Sequence, residues 1–344
     1  MSTGPFLDTA ARRRRRAELR RRRARRRFAA ALLGLLAALV AGAAVVIGDG
    51  GAPSGAKRAG DPAARAALQP VAPPPAPGQT ALGPLPLTVD LADTTDPVHM
   101  PFKKPPKAGL LVNLDTGEVL WRRNPERTLP IASLTKMMTA LVAADALRPN
   151  DKARITNAVL AYSGSGVGVL PRNKRVRVET LLYGLMLPSG NDAARALAFR
   201  TAGSIDGFVR RMNERAGAMG LRCTRFAGVE GLSPGNRSCP ADLAVIARRL
   251  LDTPRLARIV KRRRAIIPFP IKGGRLHLYN NNPLLRRGFP GIIGVKTGYT
   301  NEAGRCLVAA AHRNGVRLAA IVLDSPDPGG QSSRLLSRGF RVAT

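Results

Sequence analysis

Three short segments of this 344-residue chain carry side chains that can do chemistry together. Ser133-Leu134-Thr135-Lys136 sets a hydroxyl and an ammonium three residues apart. If a helix begins near Ser133, the two share a face and come within hydrogen-bond reach. A serine is a poor nucleophile until a base takes its proton. A lysine can be that base only when burial or nearby positive charge lowers its pKa. Alone, the spacing is equally that of a capping Ser and a solvated Lys. Ser189-Gly190-Asn191 follows a helix end expected at Pro188, and alone it is ordinary turn chemistry. Lys296-Thr297-Gly298 follows the apolar run 291–295 and precedes a strand. There Lys296 and Thr297 offer a cation and a hydroxyl, and Gly298 lets a ligand approach the backbone. Alone, it reads as a solvated strand end.

The surrounding elements must bring these segments together. Residues 108–114 and 118–122 read as two strands joined by the Asp115-Thr116-Gly117 turn. Helices are expected over 134–147, 178–187, 193–199 and 241–251. Two more strands, 305–311 and 316–323, flank the turn at 312–315, and 331–340 reads as a final helix. Strands at both ends with helices between them predict an α+β fold, an antiparallel sheet flanked by helices with an all-helical insert. This catalytic unit is expected to span 107–344.

The residues before it are different in kind. The chain has 56 Lys and Arg against 22 Asp and Glu, a formal charge of +34, yet 44% of it is hydrophobic, too much for a wholly disordered chain. Residues 1–27 form a basic segment, with twelve Arg and one Glu between 12 and 27. Residues 28–47 hold no charge and are long enough, at 1.5 Å per residue, to span roughly the 30 Å of a bilayer interior. Arg on one flank predicts a cytoplasmic N-terminus and an extracytoplasmic remainder. A retained anchor is favoured, and a cleaved signal peptide is the competing reading. Residues 48–106 contain thirteen Pro in 59 positions and read as a linker, with a reach of roughly 40 Å as a coil. Nothing that stacks on bases or reads them accompanies the Arg run, so no nucleic-acid partner is expected. The excess charge suits headgroups or anionic wall polymers outside the cell. Three Cys cannot make a four-Cys zinc site, and His99, His277 and His312 offer little for metal chemistry. No metal and no cofactor are expected.

Ser-x-x-Lys, then Ser-x-Asn, then Lys-Thr-Gly, in that order, is the signature of penicillin-binding proteins and active-site serine β-lactamases. The chain resembles the low-molecular-mass penicillin-binding proteins that are D-alanyl-D-alanine carboxypeptidases of the S11 serine peptidase family. The likeness covers about 108–341. It includes LDTGEVLW at 114–121, PIASLTKMMTAL at 130–141, VETLLYGLMLPSGNDAARALA at 178–198 and GIIGVKTGYTNEAGRCLVAAA at 291–311. The resemblance implies that Ser133 is the acylated nucleophile and Lys136 its base. It implies that Ser189 relays a proton to the leaving D-Ala, that Asn191 holds the substrate amide, and that Lys296 and Thr297 receive the peptide carboxylate. The backbone N–H groups of Ser133 and Tyr299 would form the oxyanion hole. A Ser-Lys pair needs no histidine, so His277 reads as structural.

The implied substrates are peptidoglycan stem peptides, with β-lactams as covalent inhibitors. DD-endopeptidase cleavage of cross-links is the alternative on the same scaffold, and a non-catalytic wall-binding or sensor protein is another. A β-lactamase would need a deacylating carboxylate, and neither Glu214 nor Glu230 has the expected context. Two departures from the family stand out. The stretch GSGVGVLPRNKRVRV before Val178 lacks the usual Pro-Gly turn. Only two strands and one helix follow Gly298, so the β-rich C-terminal domain of many members is expected to be missing, with 28–47 anchoring instead. An external compartment favours a Cys223–Cys239 bridge over two buried thiols, and Cys306 reads as a buried free thiol.

Overall fold

The computed structural model describes residues 87–270 and 274–343. The basic run, the apolar segment 28–47 and the linker as far as 86 lie outside the described residues.

The chain order is β1 (Ala108–Asn113), β2 (Val119–Arg123), β3 (Leu129–Pro130), a 3-10 turn (Ala132–Thr135), α1 (Lys136–Ala146), β4 (Lys152–Arg154), α2 (Asn157–Leu160), β5 (Arg175–Arg177), α3 (Val178–Met186), α4 (Asn191–Ala202) and α5 (Ile205–Ala218). There follow β6 (Arg237–Ser238), α6 (Pro240–Leu251), α7 (Pro254–Val260), β7 (Arg264–Pro268), β8 (Arg275–Tyr279), α8 (Pro283–Arg287), β9 (Ile292–Thr300), β10 (Gly304–Arg313), β11 (Val316–Leu323) and α9 (Pro328–Val342).

Five strands form one antiparallel sheet in the order β2-β1-β11-β10-β9. The early strand β1 pairs with the late strand β11, Leu110 opposite Ile321 and Val112 opposite Ala319. Both ends of the domain therefore close the sheet, and β9, which carries Lys296, is left at its edge. Successive side chains of a strand point to opposite faces. Leu110, Val112, Val308 and Ile321 enter the cluster shared with α1, α3, α4 and α6. Leu111, Leu307, Leu318 and Val322 enter a second cluster with Leu335, Leu336 and Phe340 of α9. With both faces covered, β10 and β11 have little need for polar alternation, which is why they read as near-continuous apolar runs. Helix α9 starts where Asp327 accepts from the Gly330 N–H at 3.0 Å, with Pro328 in its first turn.

Two expectations change. The insert between β2 and β9 is mainly helical but not all-helical, since it also holds the two-stranded ribbons β3–β6, β4–β5 and β7–β8. Each is only two to five residues per strand, too short for its pattern to stand out in the sequence. The packed unit also begins before 107. Residues 87–106 have no regular structure, with Pro97, Pro101, Pro105 and Pro106 breaking their second half, yet Val98 is buried and Phe102 meets Trp121 edge-on at 5.8 Å. Asp96 receives the Arg122 Nε at 2.7 Å and pins the same stretch to β2. Helix α5 was not expected. Its Phe208, Met212 and Ala216 recur every four residues on one buried face, but charged neighbours dilute that signal. No helix among the described residues is long and apolar enough to cross a membrane.

Candidate active site

Ser133 sits in the 3-10 turn and Lys136 is the first residue of α1, so the two are three residues apart on a continuous helical path. Helix α1 is buried almost all round, through Met137, Met138, Ala140, Leu141 and Ala143. A core helix carries its first residue inward with it, and Lys136 is 0% exposed. The Lys136 Nζ lies 2.8 Å from the Ser133 Oγ and also donates to the Glu230 main-chain carbonyl. Burial holds the Lys136 amine well below its ordinary pKa of 10.5, and the charge on Lys296 lowers it further. The carboxylates of Glu230 and Asp192 act in the opposite direction. A neutral amine against a serine hydroxyl is a base in contact with a nucleophile.

Backbone geometry presses this turn into shape from two sides. Ala132 adopts φ +47, a left-handed conformation that L-residues seldom take. Gly231 has φ +93, and a Cβ there would stand 2.0 Å from the Ala132 carbonyl oxygen. From β9, a Cβ on Gly298 would stand 2.9 Å from the Ile131 carbonyl oxygen and 3.2 Å from the Ser133 nitrogen. Both positions admit only glycine without a shift of the Ser133 turn.

Ser189 lies between α3 and α4, buried and at φ +68. Its Oγ receives the Lys296 Nζ at 3.0 Å. Asn191 opens α4, and its Nδ2 donates to the Ser163 carbonyl at 2.6 Å. Lys296, in β9, is 1% exposed and also reaches the Thr297 carbonyl at 2.9 Å. Burial lowers its pKa to about 7. Thr297 and Gly298 stand opposite Leu307 and Cys306 of β10. Tyr299 is exposed, its hydroxyl donating to Asn301 at 3.0 Å. Strand β9 is the edge strand of the sheet, a position from which an extended peptide can be paired.

Hydrogen bonds thus join Ser133 to Lys136 and Ser189 to Lys296, the charge of Lys296 reaches Lys136, and Gly298 packs on the Ser133 turn, with Asn191 two residues after Ser189 and Thr297 next to Lys296. Other contributors went unread in the sequence. The Glu230 carbonyl leaves no side-chain signature. Its carboxylate pairs with Arg195 at 3.1 Å and steadies the loop. Asp192, fully buried, accepts the Val167 N–H at 2.8 Å and the Gly168 N–H at 3.0 Å, so it holds the rim loop that lacks the Pro-Gly turn. Its position next to Asn191 in a helix first turn gave it the look of an ordinary end charge.

Cys223 and Cys239 form a disulfide with Cα atoms 5.5 Å apart, closing the loop that carries Glu230 and Gly231. Asp242 lies beside them, but its Oδ2 is taken by the Cys223 N–H at 2.8 Å and Thr224 Oγ1 at 2.7 Å. With both sulfurs bonded to each other, that trio offers a metal no thiolate. Cys306 is a buried free thiol whose pKa burial pushes up to about 12.

The profile of D-alanyl-D-alanine carboxypeptidases, peptidase family S11, matches residues 98–327. The D-alanyl-D-alanine carboxypeptidase DacF of Bacillus subtilis is 33% identical over 243 residues, 68% of this chain and 62% of that protein. The chain thus spans less than two thirds of that relative's length. A D-alanyl-D-alanine endopeptidase of Pseudomonas aeruginosa is 34% identical over 237 residues, 64% of this chain and 76% of that protein. The crystal structure of the Streptomyces K15 DD-transpeptidase superposes with a TM-score of 0.66 at 32% identity, covering 71% of this chain and 100% of that one.

Proposed function

The chain belongs to the S11 family of D-alanyl-D-alanine carboxypeptidases, and on that premise we propose that it removes the terminal D-Ala of peptidoglycan stem peptides through an acyl-enzyme on Ser133. The observation that carries this reading is the buried, pKa-lowered Lys136 amine 2.8 Å from the Ser133 Oγ.

Neutral Lys136 takes the Ser133 proton as Oγ attacks the carbonyl of the penultimate D-Ala. The oxyanion that forms is held by the backbone N–H groups of Ser133 and Tyr299. Ser189, on Lys296, passes a proton to the departing D-Ala nitrogen, and water then hydrolyses the ester. Asn191 holds a substrate amide. Lys296 and Thr297 receive the free carboxylate, and a bound anion favours the charged form of an amine otherwise poised near 7. A β-lactam would acylate the same Ser133. Residues 28–47 act as the membrane anchor, which sets the catalytic domain outside the cell on a Pro-rich tether. Excess positive charge suits anionic wall polymers there.

The likeness to an endopeptidase favours cross-link cleavage as a second activity of this cleft. Incubation with monomeric pentapeptide and with cross-linked dimer separates the two. Release of free D-Ala from the monomer is expected. Cleavage of dimers without D-Ala release would replace the first reading with the second. Failure of labelled penicillin to label the protein would point to the non-catalytic reading.

A further inference from the structure

From 253 to 301 the chain has eleven Lys and Arg and no Asp or Glu. The fold gathers most of these cations on one ridge, where α7 ends, β7 begins and α8 ends. Three clefts adjoin along it. One of about 590 Å³ is lined by Arg258, Lys261, Arg262, Arg263 and Arg264. The second, about 390 Å³, lies between Arg263, Arg286 and Arg287. The third, about 420 Å³, is walled by Arg263, Arg264 and Tyr279. Arg263 is common to all three.

Glu179 satisfies Arg255 at 2.8 Å and Arg258 at 3.3 Å. Among the described residues, no carboxylate pairs with Lys261, Arg262, Arg263, Arg264, Arg286 or Arg287. Cations do offset the partial negative charge at a helix C-terminus, but that charge is only about half a unit per helix. Two helix ends leave most of these six cations without a structural purpose, and packed together they repel one another. All but one are Arg, whose planar fork meets phosphate oxygens two at a time. Tyr279 is 64% exposed and lines the third cleft beside Arg263 and Arg264. Guanidinium-lined hollows in series with an aromatic wall suit a thin chain that threads from one to the next.

We propose that this ridge is a binding site for a linear polyanion with a phosphate in each repeat, a phosphodiester polymer of the wall type. It adjoins the catalytic cleft. The Asn280 N–H donates to the Arg263 carbonyl at 2.9 Å, and the Asn281 Nδ2 reaches the Pro188 carbonyl, one residue before Ser189, at 3.1 Å. A phosphodiester polymer held on the ridge and linked to the wall glycan would raise the local concentration of that glycan's stem peptides at Ser133. Binding itself does not depend on the acylation chemistry.

The test uses the full chain and soluble medium-chain inorganic polyphosphate as probe. Arg263→Glu with Arg286→Glu is expected to weaken binding by about tenfold or more and to flatten its salt dependence. Arg222→Glu with Arg338→Glu changes the net charge equally at two exposed sites elsewhere, and should cost about twofold or less. The milder Arg263→Gln with Arg286→Gln should fall between, and it serves if the charge reversal does not fold. Labelling by penicillin reports an intact fold in each variant. Equal losses in ridge and control variants would overturn the site in favour of general charge. Ridge-dependent binding to anionic phosphatidylglycerol vesicles without polyphosphate binding would make it a membrane dock instead. Tighter ridge-dependent binding to duplex DNA than to polyphosphate would also reject the proposal.

Discussion

The Nζ of Lys296 donates to the Oγ of Ser189 at 3.0 Å, across 107 residues of chain. Two motifs that are unremarkable alone thereby become one device. Lys296 is buried, and burial brings its amine to a pKa of about 7. Its charge in turn lowers the pKa of Lys136. The cleft therefore holds two amines whose protonation states depend on each other.

Lys296→Met should reveal what that burial costs. The amine titrates near 10.5 in the unfolded chain and about 7 in the folded one. Between those values the unfolded state binds more protons, so stability rises with pH, and below about 7 the whole penalty is present. The variant should melt higher than wild type near pH 6, by a margin that narrows toward pH 10. Recognition of a free C-terminal carboxylate should meanwhile fall by roughly tenfold to a hundredfold, as for loss of a charge-assisted hydrogen bond. Melting curves and kcat/KM with free-acid and amidated peptides check this. A variant that still prefers the free acid as strongly as wild type would remove Lys296 from the anion site.

Ser133→Ala should abolish labelling by penicillin. Lys136→Ala should slow acylation by roughly three orders of magnitude or more, since the members of such a unit fail together. Intact mass and peptide mapping decide the first point, and stopped acylation time courses the second. An adduct on any residue other than Ser133 contradicts the assignment. The acylation rate should also rise with pH as Lys136 loses its proton, and it should do so below the ordinary lysine range.

The reactive side chains were legible because their chemistry demands particular residue types at short spacings. Ser133 and Lys136 need three residues of helical path, and that is visible in a string of letters. What was not legible depends on the backbone or on distance. The Glu230 carbonyl that receives Lys136 could belong to any residue. Ala132 and Ser189 take positive φ without being glycine, so nothing in their identity announces the strain. The lowered pKa of Lys296 follows from burial in β9, whereas the sequence read its triplet as lying before a strand. Hairpin β7–β8 was missed because Leu276 and Leu278 alternate with Arg275, His277 and Tyr279 over five residues only. Residues 87–106 looked like linker because proline content reports the lack of regular hydrogen bonding, not the lack of packing.

Reduction of Cys223–Cys239 should destabilise the domain by roughly 3 kcal/mol in the chain-entropy account of a loop this size. The loop it closes carries both Glu230 and Gly231, so acylation should slow as well. Denaturant midpoints and labelling rates, with and without reductant, measure the two effects. Unchanged labelling in the reduced protein would show that Gly231 and the Arg195–Glu230 pair hold the loop without the bridge.

Gly298→Ala tests the pressure that β9 puts on the nucleophile. Its Cβ would meet the Ile131 carbonyl at 2.9 Å and the Ser133 nitrogen at 3.2 Å. Either the strand or the Ser133 turn must move, at a cost of about 1–3 kcal/mol for such overpacking. Acylation should fall more than stability, because the displaced atoms include a proposed oxyanion donor. A variant that is destabilised yet labels at the wild-type rate would mean that the strand moves and the turn does not.

The fate of a β-lactam adduct is set by which carboxylates are free. With a peptide substrate, D-Ala leaves and water can enter. With penicillin, the leaving amine stays tethered and crowds that approach, so hydrolysis needs a carboxylate to activate the water. The two carboxylates that act on Lys136 are those of Glu230 and Asp192. Glu230 is engaged by Arg195 at 3.1 Å. Asp192 is engaged by the N–H groups of Val167, Gly168 and Ala193, at 2.8 Å, 3.0 Å and 2.8 Å. Both Asp192 oxygens are occupied, and the Arg195 ion pair on Glu230 Oε1 weakens that carboxylate as a base toward a water beside the Ser133 ester. The penicilloyl adduct should therefore outlive a turnover on a D-Ala-D-Ala peptide by orders of magnitude. Decay of labelled adduct, measured beside D-Ala release by the same preparation, gives the comparison. Arg195→Ala then supplies the sharper result, because it frees the Glu230 carboxylate. If adduct decay accelerates in that variant, the ion pair is what keeps a latent base from the ester. Fast penicillin turnover by the wild type would instead show that one of these carboxylates leaves its partners during the reaction.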